Sequence, residues 1–128
     1  MANFRYELLK GVPCIQAHVQ GKTLAFTGRF ILDTGAYMTI IRTARIDAIG
    51  YSARDATKPF STESIIGREE GYCLKITCLE LFGKTFSNHE VAALDLPERY
   101  HIDGLIGMNI LNQFDWCLHP NKSIISIE

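Results

Sequence analysis

The chain has 128 residues, 47% of them hydrophobic and 21% charged, with a formal net charge of −1. That length suits one compact domain, residues 1–128, with its own core and leaves no room for a second. The near balance of acids and bases gives no electrostatic footprint for nucleic acid or an anionic membrane surface, so neither is expected as a partner.

In chain order, Met1-Ala2-Asn3-Phe4-Arg5-Tyr6-Glu7 carries no apolar run bounded by a small-residue cleavage site, and no later stretch is apolar enough to span a bilayer. A soluble protein made without export, resident in the cytoplasm, is expected. Val12 to Gln20 and Thr23 to Leu32 read as two strands joined at Gly21-Lys22, where glycine is expected to supply the positive φ of a tight turn. The second strand alternates and then becomes continuously apolar at Phe30-Ile31-Leu32, the pattern of a strand entering a core. Asp33 follows directly.

Thr43 to Ile49 suits a short helix stopped by Gly50. Phe60 to Ile65 and Gly71 to Leu81 predict a hairpin, linked through the polar stretch Ile66-Gly67-Arg68-Glu69-Glu70, which could project as a flap. A turn at Gly83-Lys84 leads into Thr85-Phe86, and His89 to Leu96 makes another strand before the Pro97-Glu98-Arg99-Tyr100 loop. Asp115 to His119 and Ser123 to Ile127 close the chain as two strands around Pro120-Asn121-Lys122. The whole reads as all-β.

Cys14, Cys73, Cys78 and Cys117 are scattered without a C-x-x-C pair among apolar residues, and buried free thiols are expected. His18, His89, His101 and His119 are neither spaced as helical pairs nor clustered with the cysteines, so no metal site is proposed.

The chemistry concentrates at Asp33-Thr34-Gly35. A carboxylate ending a core strand is costly unless its charge is satisfied. Thr34 brings a hydroxyl, and Gly35 leaves its N–H open to close approach, so this turn can hold the acid within reach of solvent. By itself Asp-Thr-Gly is also a plain β-turn. A weak internal repeat relates Leu32-Asp33-Thr34-Gly35-Ala36 to Gly104-Leu105-Ile106-Gly107-Met108, each setting a glycine after an apolar strand and before a helix-like segment. In that alignment Leu105 stands where Asp33 does, and one chain offers half of a paired-carboxylate site. Asp103-Gly104 is a common turn pair and a poor second acid.

With its flanks included, the sequence resembles the retropepsin-like clan of aspartic peptidases, including its small bacterial members. The resemblance rests on Phe30-Ile31-Leu32-Asp33-Thr34-Gly35-Ala36 with Thr39-Ile40 following, on a central hairpin in the flap position, and on Ile102-Asp103-Gly104-Leu105-Ile106-Gly107-Met108-Asn109-Ile110-Leu111. It implies a closed β-barrel with one or two short helices and a homodimer whose active site forms at the two-fold axis. It also implies an aspartic endopeptidase acting on polypeptide substrates without a cofactor. Carried over residue by residue, Asp33 is the catalytic acid, Thr34 and Gly35 brace the loop through hydrogen bonds, and Ala36 lies beside the substrate backbone. Ile65, Ile66 and Gly67 belong to a flap tip within 63–68. The sequence departs from the pattern at Ser64-Ile65-Ile66-Gly67, which lacks the small-residue and glycine pairing of bacterial relatives, and at Tyr37. A catalytically silent dimerisation or peptide-binding module of the same fold is the alternative reading.

Overall fold

The computed structural model of the chain describes residues 1–64 and 67–128. Its strands, in order, are β1 (Ala2–Arg5), β2 (Glu7–Leu9), β3 (Val12–Gln20), β4 (Ala25–Leu32), β5 (Ile40–Arg42), β6 (Lys58–Ser64), β7 (Gly67–Leu81), β8 (Lys84–Leu94), β9 (Gly104–Ile106), β10 (Trp116–His119) and β11 (Ile124–Ile127). The two short helices are α1 (Thr43–Ala48) and α2 (Met108–Leu111). This is the all-β class with one or two short helices expected from the sequence.

The larger sheet runs β2-β3-β4-β9-β5-β8-β7-β6, and β3 also pairs with β7. That extra pairing closes the run from β3 to β7 into a barrel-like ring, leaving β2 and β6 as tails. β3 carries the two-residue alternation that such a ring demands. In β3, Ile15, Ala17 and Val19 are buried while Gln16, His18 and Gln20 are exposed. The main core gathers those residues with Phe30, Ile41, Leu74, Ile76, Leu79, Val91, Ile106 and Ile110. A smaller cluster, Met38, Ile40, Phe60, Cys73, Ala92 and Leu94, packs under the β6–β7 hairpin. No helix among the described residues is long and apolar enough to cross a membrane.

Several expectations shift in register. The β3–β4 connection is the four residues Gly21 to Leu24, with Gln20 paired to Ala25 and the Gly21 N–H donating to the Leu24 carbonyl at 2.9 Å. Gly21 is not among the positive-φ glycines. Its role is close approach: a Cβ there would collide with the Ile49 carbonyl oxygen and lie 2.7 Å from the Ile49 Cβ. The next hairpin turns on Phe82-Gly83, one residue early, because Leu81 already pairs with Lys84. β8 is then one strand to Leu94 rather than two pieces, with Asn88 left-handed (φ 50°) where Thr77 gives its N–H to the Tyr51 hydroxyl at 2.8 Å.

The β6–β7 ladder runs on to Ser64 opposite Gly67, so Arg68, Glu69 and Glu70 are strand residues rather than a loop. α1 ends as expected, at Gly50 with φ 105°. The terminal strands β10 and β11 are joined by β1, which the sequence did not announce, in a separate sheet β1-β11-β10. Of the four cysteines, Cys14 and Cys73 are buried, and burial pushes both thiols up. Cys78 is half-buried and Cys117 exposed, contrary to expectation, because each falls on the outward side of its strand's alternation.

Candidate active site

β4 delivers Asp33, and the loop that follows is tied down at nearly every step. The Asp33 N–H donates to the Ile106 carbonyl at 3.0 Å, extending the parallel β4–β9 pairing one residue past the strand. The Ala36 N–H closes the turn onto the Asp33 carbonyl at 3.2 Å, and the Gly35 N–H donates to Asp33 Oδ1 at 2.9 Å. The carboxylate thus gains a backbone donor while remaining half-exposed.

Beyond the turn, Ala36 and Tyr37 offer their carbonyls to the N–H groups of Met108 and Asn109 at 2.7 and 3.1 Å. Those are first-turn donors of α2 that have no partner within the helix. Thr39, fully buried, completes the junction. Its N–H and hydroxyl both donate to Asn109 Oδ1 at 2.8 Å, and its oxygen accepts from the Gly107 N–H at 3.0 Å. Asn109 Nδ2 donates onward to the Glu90 carbonyl at 3.1 Å. One threonine and one asparagine therefore bind the Asp33 loop, β9, α2 and β8 into a single unit. Thr39 and Asn109 lie in the segments that carried the resemblance, yet the sequence reading gave them no role. The available signal was a polar side chain inside an apolar run, which burial obliges to find partners.

β9 fits between β4 and β5 only because Gly104 has no side chain; a Cβ there would strike the Ile40 carbonyl oxygen and lie 2.8 Å from the Phe30 ring. Asp103, just before it, is spent on structure: its carboxylate accepts from the Arg29 N–H at 2.9 Å and from Arg45 Nε at 2.8 Å. The two segments of the internal repeat are thus neighbours, with Ile31 opposite Leu105. Only the second is followed directly by a helix, since the Asp33 loop leads into β5.

Of the residues expected at the site, Asp33, Thr34, Gly35 and Ala36 share one loop. Thr34 and Gly35 are exposed, and Ala36 is half-buried. The Thr34 hydroxyl, expected to brace the loop, has no hydrogen bond among the described residues, where Thr39 does that work. Ile65 and Ile66 lie outside the described residues, and Gly67 is described only as the start of β7 opposite Ser64. Tyr37 is 66% exposed with its ring 5.9 Å from that of Phe60, linking the loop to the base of the β6–β7 hairpin.

An apolar cleft of about 280 Å³ is walled by Leu9, Val12, Ile31, Leu96, Ile102 and Leu105, with Lys10 and Tyr100 also bordering it. Ile31 precedes Asp33 by two residues, the spacing that sends both side chains to one side of an extended chain. A larger cleft, about 460 Å³, lies between the N-terminal strands and β3, bordered by Phe4, Tyr6, Cys14 and Phe82; neither cleft is lined by a residue of the Asp33 loop itself.

The profile of a family described as aspartyl protease matches residues 15–110. Among solved structures, a retropepsin-like aspartic protease from Rickettsia conorii superposes with a TM-score of 0.69 at 18% identity, covering 98% of this chain and 90% of that one. The EIAV protease, in complex with an inhibitor, superposes with a TM-score of 0.58 at 17% identity, covering 82% of this chain and 89% of that one. A search of curated protein sequences gives no match.

Proposed function

Because this chain belongs to the aspartyl protease family and has a retropepsin-like fold, we propose that it is an aspartic endopeptidase. Its water-activating pair would be Asp33 of one subunit and Asp33 of an identical partner, each subunit being a single domain over residues 1–128. The observation that carries the reading is a half-exposed carboxylate held by a backbone N–H on a loop braced from β9 and α2. Of the segments that brace that loop, Gly104–Ile106 and Met108–Leu111 contain no acid, and Glu90 of β8 is ion-paired with Lys58 at 3.4 Å. A second carboxylate is therefore sought across a two-fold axis, where one sequence supplies both.

Two carboxylates forced together cannot both ionise easily, so the pair holds one proton and titrates as a unit. The ionised member takes a proton from a water that attacks the scissile carbonyl, while the protonated member donates to the carbonyl oxygen. A proton then passes to the leaving nitrogen. The substrate would be an extended polypeptide bound as an added strand beneath the β6–β7 hairpins. The apolar cleft would receive an apolar side chain next to the scissile bond, its walls being almost wholly aliphatic. Thr34, Gly35 and Ala36 would line the backbone path, and Ile65, Ile66 and Gly67 are proposed for the hairpin tip above it.

The test is cleavage of an unfolded peptide library across acidic and neutral pH, beside Asp33→Asn. Cleavage by wild type, reduced about a hundredfold or more in the variant, is the expected result. Absence of cleavage by a confirmed dimer that also fails to bind a statine-type transition-state mimic would favour a silent peptide-binding module, whereas binding without cleavage would point to a peptidase with a narrow substrate range.

A further inference from the structure

We propose that Arg42 is a positioning residue for substrate selection: its guanidinium clamps both ends of the 96–102 loop and so fixes one wall of the apolar cleft that Ile31 of β4 and Leu105 of β9 line. The proposal rests on the peptidase reading above. Arg42 is the last residue of β5, and its side-chain hydrogen bonds all go to backbone carbonyls. Nε and Nη2 donate to the Ile102 oxygen at 3.1 and 2.7 Å, Nη1 to the Leu96 oxygen, and Nη2 also to the Pro97 oxygen at 3.4 Å. Of the three residues so held, Leu96 and Ile102 wall the cleft.

Between them the chain makes a single 3-10 turn, Glu98–Tyr100, and reverses at His101 in the left-handed region (φ 53°). The loop's own backbone bonds are Tyr100 N–H to Pro97 O at 3.1 Å and His101 N–H to Glu98 O at 3.0 Å. So short a turn does not set its own place on the barrel; the fork across its ends does. A planar guanidinium can reach both carbonyl groups at once in fixed geometry, which an ammonium cannot. Tyr100, 42% exposed, borders the cleft from the same loop. A wall fixed before substrate arrives spares the binding step the cost of ordering it. A large apolar side chain that fills the cleft draws on that wall, and a small one that leaves it empty does not.

The experiment uses two peptides differing only in Phe or Ala next to the scissile bond, with wild type, Arg42→Lys and Arg42→Gln. Wild type is expected to favour Phe. In Arg42→Lys the Phe-to-Ala ratio of kcat/KM should fall about tenfold, carried by KM for the Phe peptide. An Arg42 with a purely structural role would slow both peptides alike; a preserved ratio in a folded variant overturns the proposal. Should neither variant fold, amide exchange of the wild type decides. Tyr100 and His101 exchanging as slowly as β9 supports the clamp, and exchange at open-chain rates overturns it. A wild type that cleaves neither peptide, or an Asp33→Asn that cleaves both at the wild-type rate, overturns the peptidase reading itself and this proposal with it.

Discussion

Asp33 stands at the end of an apolar strand because its neighbours meet its needs locally, and that much could be read from Asp33-Thr34-Gly35. What could not be read is which threonine braces the loop. Thr34 is adjacent and exposed, whereas Thr39 finds Asn109 across 70 residues of sequence, a contact no local pattern encodes. Thr39→Val removes the acceptor for the buried Gly107 N–H and one donor to Asn109. It should cost about 1–3 kcal/mol of folding stability, read from the denaturant midpoint. His89 gives a second test. Its Nε2 is buried without a hydrogen-bond partner among the described residues, and its ring lies 5.3 Å from that of Phe86. Burial holds its pKa below the ordinary 6.5, partly offset by Glu90. The unfolded chain therefore takes up this proton first as pH falls, so the stability contribution is present above about pH 6.5 and lost progressively below it. His89→Phe should flatten that acid-side loss in pH-dependent unfolding.

Elements were legible in kind and less so in extent. The alternation of β3, the stop at Gly50 and the apolar run into Asp33 are local properties, and they appear where expected. Strand ends are decided by partners far along the chain. The β6–β7 ladder continues to Ser64 and Gly67 although 68–70 are all charged, because an exposed tail of the sheet tolerates charge on both faces. The turn falls at Phe82-Gly83, one residue before the Gly83-Lys84 that the sequence suggests, because glycine can hold either central position of a tight hairpin. In the sequence Gly104 belongs to a turn pair, to the internal repeat and to the family motif, none of which shows that it is where β9 slips between its neighbours. Gly104→Ala should destabilise the fold by about 1–3 kcal/mol, the range for overpacking, and should lower peptidase activity by displacing Leu105 and Ile106 beneath the Asp33 loop. Thermal unfolding and kcat/KM measured together would check both parts.

At the scale of the molecule, the ring closure β3 to β7 and the pairing of β1 with β11 join distant parts of the sequence; neither has a local signature. The family pattern nonetheless foretold the class of fold, because its two motifs mark the strands β4 and β9 that lie side by side at the site. The proposed function requires a second chain. Specific activity should therefore rise with protein concentration and level off as dimers saturate, a dependence that a site complete in one chain lacks. The central claim is tested most directly by mixing subunits. Wild type and Asp33→Asn are combined at fixed total concentration and allowed to exchange, and activity is followed against the wild-type fraction. A dyad built from one Asp33 of each subunit predicts activity falling as the square of that fraction, to about a quarter at equal mixing. A linear fall, to about a half, would contradict it.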